Sequence, residues 1–467
     1  MSSEIKSMRP FSGPGKIPYR IFWTWDHSTN WCMNTRGAQN SGVANAYMKN
    51  PEMFLKDYMR VVDWCAENGM NAVGIVGLLR DRHGGVDSVR KLCAYAQEKG
   101  ICIYIIAGLF AYSGIYYEGD SPYNLNKFFD KNPQCIGQYA DGRPLIVKYY
   151  GSGGHKIDPQ GCPSNPQLKE YVLESLDWLF KEIPELGGIQ MEAGDNGVCQ
   201  CPKCQERRGI VQSYMSLADM AGIYPQGAEV VWGRKPDALV ICETYHHFQE
   251  EEACAIFDSK EPSEDLQRLL AMPEKTFWQW KCDQALADNT WQLGAKIPAS
   301  MRKFHHIMRS HAGTQWWGGR HTLDIEKIRR QCMLSFDAGI DTVSMFGEQA
   351  PYHTNAEFNY LALQYFSDAP FAKLDSFVED VMAPRLGGRE IAFRYLEMAG
   401  LYRKPEKIPA ACAEIAKIAA GMTDYEALRR WQYLSSFLNS YCWEAGQEQY
   451  GISTDMKSRD IPAQDAE

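Results

Sequence analysis

Eight times between Tyr19 and Phe346 a short apolar run gives way to a polar or ionisable cluster, and helix-period sequence fills much of the space between. The runs are Tyr19 to Trp25, Asn71 to Leu78, Ile101 to Phe110, Ile189 to Met191, Ala238 to Cys242, Thr276 to Trp280, Gly313 to Trp317 and Asp341 to Phe346. Each after the first comes with a helix-stop signal, in order Asn68-Gly69, Lys99-Gly100, Gly187-Gly188, Lys235-Pro236, Pro273-Glu274-Lys275, Ala312-Gly313 and Ala338-Gly339. Helical spacing is plainest from Pro51 to Glu67, where Phe54, Tyr58, Val61, Val62 and Cys65 share a face, and it recurs over Asp87 to Glu98 and Gln167 to Ile183. Strands joined through helices return parallel to one another, because a tight turn cannot bridge them. Eight such units predict an α/β chain folded as a (β/α)8 TIM barrel with a C-terminal helical segment. A doubly wound open sheet is the alternative, disfavoured because no Gly-x-Gly-x-x-Gly follows the first strand. The expected organisation is a lead-in over residues 1–18, the barrel over 19–352 and a helical region over 353–467, where Phe358, Leu361, Ala362 and Tyr365 keep helical spacing.

Composition removes several classes of function. A chain of 467 residues with 45% apolar and 23% charged residues buries a large core, and the length suits a barrel with insertions. A net charge of −9 without a basic run argues against nucleic acid or an anionic membrane as partner. No window approaches the ~20 apolar residues of a membrane span, and Met1 to Lys16 lacks the apolar core of a signal peptide. The 15 cysteines are odd in number and scattered through predicted helices and strands, as at Cys65, Cys93, Cys102 and Cys242. Such thiols read as reduced and buried in a cytoplasmic protein, although a secreted form with its leader removed would look the same at the N-terminus. A homo-oligomer stays open.

In a parallel barrel the loops at the carboxyl ends of the strands carry the chemistry. The fourth run ends in Glu192-Ala-Gly-Asp195, two acids within a few residues and with glycines beside them, which suits acid/base work. A strand-end Glu capping the next helix and an Asp in a turn would give the same letters. Around them the fold would bring Asp26, Arg80, Arg82 and His83, Glu243 with Tyr245, His246 and His247, Lys281 with Asp283, Arg320 with His321, and Glu348 to one mouth. That set predicts Glu192, Asp195, Glu243 and Glu348 as catalytic candidates. Asp26, Arg80, Arg82, His83, Tyr245, His246, Trp280, Trp317, Arg320 and Glu348 are candidates for holding a polar substrate, the tryptophans by stacking on sugar rings. Arg80 and Arg82 would grip a substrate carboxylate or neutralise neighbouring acids. His305, His306 and His311 read as a helix ahead of the seventh strand, in a solvated or supporting role. A loop of roughly fifty residues after the third run is longer than a compact domain needs without a function for it.

Cys199-x-Cys201-x-x-Cys204 follows the fourth-strand acids and is half of a tetrahedral zinc site. A fourth ligand would come from elsewhere, for instance Cys162, Cys135 or His155; free thiols in a Pro-containing loop are the plain alternative. No catalytic cofactor is required by the pattern, and a structural zinc is the one metal expectation.

The fourth-strand acids, Trp316-Trp317, Ser344-Met-Phe-Gly-Glu348, Cys162-Pro-Ser-Asn-Pro166 and Glu357-Phe-Asn-Tyr360 together resemble glycoside hydrolase family 20 and its less characterised relatives, over about Tyr19 to Phe366. Some of those relatives carry a Cys-x-Cys-x-x-Cys after the fourth-strand acids. The resemblance implies a glycosidase using carboxylate acid/base catalysis, exo-acting on a carbohydrate of N-acetylhexosaminide or uronide type, with Glu348 gripping hydroxyls. Family 20 has adjacent Asp-Glu at the fourth strand, the Glu as acid and the Asp steering an acetamido group. The spacing Glu192-Ala-Gly-Asp195 departs from that pair, so the acetamido mechanism does not carry over with it. Two other classes fit the same barrel: a sugar-acid lyase, isomerase or metal-dependent hydrolase using His246 or His247 as base, and a non-catalytic sugar-binding barrel.

Overall fold

A computed structural model describes residues 16–26, 50–151, 154–194, 197–209, 216–247, 257–283, 286, 297–314, 322–347 and 353–448, without the side chains of 148–157, 245–247 and 442–448. Eight parallel strands close a barrel: β1 (Tyr19–Trp25), β2 (Ala72–Val76), β3 (Cys102–Gly108), β6 (Gly188–Glu192), β7 (Leu239–His247), β8 (Phe277–Lys281), β9 (His305–Ser310) and β10 (Thr342–Met345), with β10 hydrogen-bonded to β1. A two-stranded antiparallel hairpin, β4 (Ile146–Gly151) and β5 (Gly154–Pro159), lies within the long loop after β3.

Alternation along the strands sorts the side chains. Ile21, Trp23, Trp25, Ala72, Val76, Tyr104, Ile106, Leu239, Ile241, Phe277, Ile307 and Phe346 form one cluster that fills the barrel. Their immediate neighbours, such as Phe22, Val73, Ile105, Val240, Trp278 and Met308, belong to the larger core between strands and helices. The interior is tight enough to require a glycine. Gly74 faces inward on β2, and a Cβ there would stand 2.3 Å from the Tyr104 phenol crossing the barrel.

The helices begin where local chemistry allows. Helix α1 (Pro51–Glu67) is capped by the Asn50 side chain accepting from the Met53 N–H, has Pro51 in its first turn and turns Phe54, Tyr58, Val61, Val62 and Cys65 onto the barrel. Helices α2 (Gly85–Glu98), α3 (Leu125–Lys131), α4 (Pro166–Glu182), α5 (Pro202–Arg208), α6 (Leu217–Arg234), α7 (Glu264–Leu270) and α8 (Ile325–Ala338) follow. Helix α9 (Thr354–Asp368) packs on α8 and β1. Beyond a helical run at 374–386 come α10 (Arg389–Ala399), α11 (Ile408–Ala420) and α12 (Tyr425–Glu448). Among the described residues no helix is long and apolar enough to cross a membrane.

One strand lies elsewhere than the sequence predicts. The seventh barrel strand is His305–Ser310, whereas Gly313–Thr314 forms a turn and residues 315–317 fall outside the described residues. His305, Ile307 and Arg309 point inward and His306, Met308 and Ser310 outward, a period of two hidden because half of these residues are polar. His305 and His306 are therefore strand residues, each buried against a partner, and His311 follows the end of the strand. His305 Nδ1 lies 2.6 Å from Asp341 Oδ2. His306 accepts from the Trp280 indole N–H at 2.9 Å and meets the Met301 carbonyl at 2.9 Å.

Candidate active site

Parallel register sets two carboxylates side by side at the carboxyl ends of β6 and β7. Gln190 pairs with Ile241 and Met191 with Cys242, so the next step along both strands pairs Glu192 with Glu243. Both share inward parity with Gln190 and Ile241. Glu192 is 7% and Glu243 0% exposed. Each is held by an inward glutamine: Gln190 Nε2 donates to Glu192 Oε1 at 3.0 Å, and the Gln279 amide on β8 donates to Glu243.

The surroundings of the two acids differ. Arg309, on β9, brings its Nε to 3.4 Å from Glu243 Oε2 and spreads its guanidinium over the Phe346 ring at 4.2 Å. Its Nη1 lies 3.3 Å from His311 Nε2, and since a guanidinium only donates, that ring nitrogen accepts and the proton sits on Nδ1. His311 Nδ1 then donates to Asp283 Oδ2 at 2.9 Å, and the His311 N–H to Oδ1 at 2.6 Å. Burial by itself would raise the Asp283 carboxyl, but the hydrogen bonds from the His311 ring and backbone N–H, with the Arg309 charge behind, carry it down to about 2. A chain of contacts thus runs Asp283, His311, Arg309, Glu243, and it fixes the guanidinium against Glu243 and its charge.

Glu192 sits between Glu243 and an aromatic lid. Its register partner on β3 is Gly108, and a Cβ there would meet Tyr112 Cδ2 at 2.8 Å, so the Tyr112 ring folds back over that position. Among the described residues, Tyr112 and Ser113 are the non-glycine residues with left-handed backbone, at φ 52° and 64°. The buried Asp158 carboxylate holds the bend by accepting the Tyr112 N–H at 2.9 Å and the Gln160 amide at 2.8 Å. Strain of this kind is costly and persists where the surroundings enforce it. Behind Glu192, the Tyr224 hydroxyl accepts from the Ala193 N–H at 3.1 Å and donates to the Glu243 carbonyl at 2.8 Å, locking the two strand ends together.

The rest of the mouth is aromatic. Trp23 stacks on Phe346 at 4.3 Å, and Trp25 meets Tyr117 edge-on at 6.2 Å. Tyr104 lies below, its hydroxyl pushed well above the usual phenol range first by burial and then by nearby groups including Glu192 and Glu243. Lys281, at the end of β8, is the register partner of Arg309.

Other predicted residues fare differently. Trp280 is corrected: it has outward parity on β8, is 1% exposed, packs edge-on against Phe257 and donates to His306, so it touches no mouth. Asp26, Arg80 and His83 form a buried ion network, with Arg80 Nε 2.6 Å from Asp26 Oδ2 and His83 Nδ1 3.3 Å from the same oxygen. Arg80 also reaches Glu118 at 2.7 Å and covers the Tyr117 ring at 4.2 Å, while Arg82 pairs with Glu118. Both arginines thus stand against neighbouring acids. Asp195, Trp317, Arg320 and Glu348 lie outside the described residues, as do the side chains of Tyr245 and His246, whose backbone continues β7 past a register shift. Sequence reading missed Arg309, His311, Gln190, Gln279, Tyr104 and Tyr112 as site residues. Inward parity on the correct seventh strand would have found the first two.

A second cluster lies beyond Glu192. The sulfurs of Cys162, Cys199, Cys201 and Cys204 all lie within 4.8 Å of one another. Cys162 is thus the one of the three proposed partners that joins the group. Cys135 Sγ instead faces Gln167 Oε1 at 3.6 Å, and the His155 side chain is outside the described residues.

No protein-family model and no curated protein matches the sequence. Among solved structures the chain is similar to a GH20 catalytic module of the pneumococcal exo-β-D-N-acetylglucosaminidase StrH, at 10% identity and TM-score 0.43 over 91% of this chain and 98% of that one. It is also similar to an α-amylase from Geobacillus thermoleovorans, at 11% and 0.42 over 76% and 80%, and to an endo-1,4-β-mannanase from Rhizomucor miehei, at 10% and 0.40 over 68% and 86%. Likeness at this level carries no argument about chemistry.

Proposed function

We propose that the chain is a glycoside hydrolase with Glu192 as general acid and Glu243 as its ionised partner. The observation that carries the reading is the pairing of these two acids on adjacent strand ends, with Arg309 set against Glu243. Two carboxyls with different surroundings divide into a proton donor and a charged group. A guanidinium and an amide donor lie against Glu243. Glu192, beside Glu243 and under Tyr112, is the one placed to give a proton to the leaving oxygen.

The reading takes the pair as retaining, the class in which the two carboxyls stand about 5 to 5.5 Å apart. Glu243 then attacks the anomeric carbon, and water releases the sugar with Glu192 returning as base. The Trp23–Phe346 and Trp25–Tyr117 walls supply apolar faces for a sugar ring. The substrate is a carbohydrate of uronide or N-acetylhexosaminide type. Exo action is part of the same proposal.

A panel of aryl glycosides, uronides and N-acetylhexosaminides included, assayed on wild type beside Glu192→Gln, tests it. Hydrolysis of one class with retained configuration by proton NMR, lost in the variant, is the expected result. Tight sugar binding without turnover of any member would replace the enzyme by a sugar-binding barrel.

A further inference from the structure

The loop that leaves β3 and the loop that leaves β6 meet at four sulfurs. Cys162 lies just after β5 and ahead of α4. It stands 3.8 Å from Cys201 and 3.7 Å from Cys204, sulfur to sulfur. A disulfide would hold two sulfurs at about 2.05 Å, so these are not bonded to each other. Four thiolates around a zinc ion, each about 2.3 Å from the metal, have edges of roughly 3.8 Å when the arrangement is tetrahedral. The two Cys162 separations match those edges, and all four sulfurs lie within 4.8 Å of one another.

The backbone is arranged around the same atoms. Cys199 Sγ accepts the Gln138 N–H at 3.3 Å and the Cys201 N–H at 3.5 Å, so the backbone of both loops is wrapped on this sulfur. The Gln200 N–H donates to the Gln138 carbonyl at 2.6 Å, laying the two loops together. Gly137 is required here, since a Cβ would fall 2.9 Å from Cys199 Cβ. Pro202 starts α5 between Cys201 and Cys204, which turns both sulfurs inward. Arg208 reaches the Cys199 carbonyl at 2.6 Å and pairs with the buried Asp219, tying the motif to α6. A small cavity lined by Gln138, Cys162, Ser164, Cys199 and Cys201 opens onto the cluster.

We propose that Cys162, Cys199, Cys201 and Cys204 form a structural zinc site that staples the loop after β3 to the loop after β6. Four thiolate ligands close the coordination sphere, so the ion holds structure and takes no part in chemistry. Binding releases the thiol protons to solvent. The staple fixes the segment that follows Glu192, and it stands whether or not the glycosidase reading does.

The test is metal analysis of protein purified without chelator or metal-affinity resin. About one zinc per chain is expected. Cys162→Ser and Cys201→Ser should each lose it and melt at a lower temperature, whereas Cys135→Ser, outside the cluster, should keep it. Cobalt(II) in its place should give the visible bands of a tetrahedral thiolate complex. Should the serine variants not fold, mercurial titration of the wild type replaces them, with zinc release expected to track the modification of four thiols. Protein free of zinc, zinc retained in Cys162→Ser, or iron as the bound metal would each overturn the assignment.

Discussion

Glu192 and Glu243 are one kind of side chain in two surroundings, and the difference decides what a substitution does. If Glu192 is the proton donor, Glu192→Gln should lower kcat by about 10²–10⁴ on poor leaving groups, and much less on activated aryl glycosides. Glu243→Ala should lose activity with both and regain it with azide as a glycosyl azide of inverted configuration; an azide of retained configuration from Glu243→Ala, and of inverted configuration from Glu192→Ala, would exchange the two roles. His306 supports a second prediction, on stability. Burial pushes its pKa down to about 4, against an unfolded value near 6.5. A proton on Nδ1 would break the bond from the Trp280 indole. The unfolded chain therefore binds a proton between those values that the folded chain refuses. Stability is full above about pH 6.5, falls as the pH drops towards 4 and then levels off, a loss of about 2 kcal/mol from pH 7 to 5. Urea midpoints at both pH values should show that loss in wild type and not in His306→Gln, and an identical slope in the two would rule the residue out. At this scale the two glutamates were legible because they end apolar runs. Arg309 was not, because its partner Glu243 is distant in sequence and reaches it across β8.

Elements were legible to the extent that their period was uninterrupted. Helix α1 fell where its apolar face and Asn50 cap place it, whereas β9 was displaced because His305, His306 and Arg309 mask a strand as polar sequence. The loop after β3 shows the other limit. Its tyrosines, glycines and aspartates announced a function, but not that Asp158 on the hairpin would hold Tyr112 in a left-handed bend over Gly108. That geometry yields a prediction for the element. A methyl group in Gly108→Ala must displace the Tyr112 ring, at 2.8 Å, or the Ala111 carbonyl, at 2.9 Å. Because the displaced ring lies beside Glu192, kcat/KM should fall by up to about a hundredfold, with secondary structure by circular dichroism unchanged. Kinetics like those of wild type would remove Tyr112 from the site.

At the scale of the molecule the sequence showed helices after the last strand, packed on the barrel, but not which residues join the two. One apolar core runs without a break from β1, β2 and β3 through Tyr360 and Phe366 on α9 to Trp431, Leu434 and Leu438 on α12. At its centre the Glu357 carboxylate on α9 takes a bidentate pair from Arg430 on α12, at 2.6 and 3.0 Å, with both side chains buried. Arg429 approaches the same carboxylate at 3.5 Å. Such a pair contributes little against a well-packed apolar replacement, but removing one partner strands the other charge in the core. Arg430→Met should therefore cost about 3–5 kcal/mol, reduced to whatever extent Arg429 swings in to cover Glu357. Adding Glu357→Gln to it should restore much of the loss, because no buried charge is left uncompensated. Since barrel and C-terminal helices share this core, wild type and both variants should each unfold in one transition seen alike by near-ultraviolet and far-ultraviolet circular dichroism. A separate early melting of the helices, with the barrel left folded, would show that the pair joins two independent units and that the shared core does not couple them.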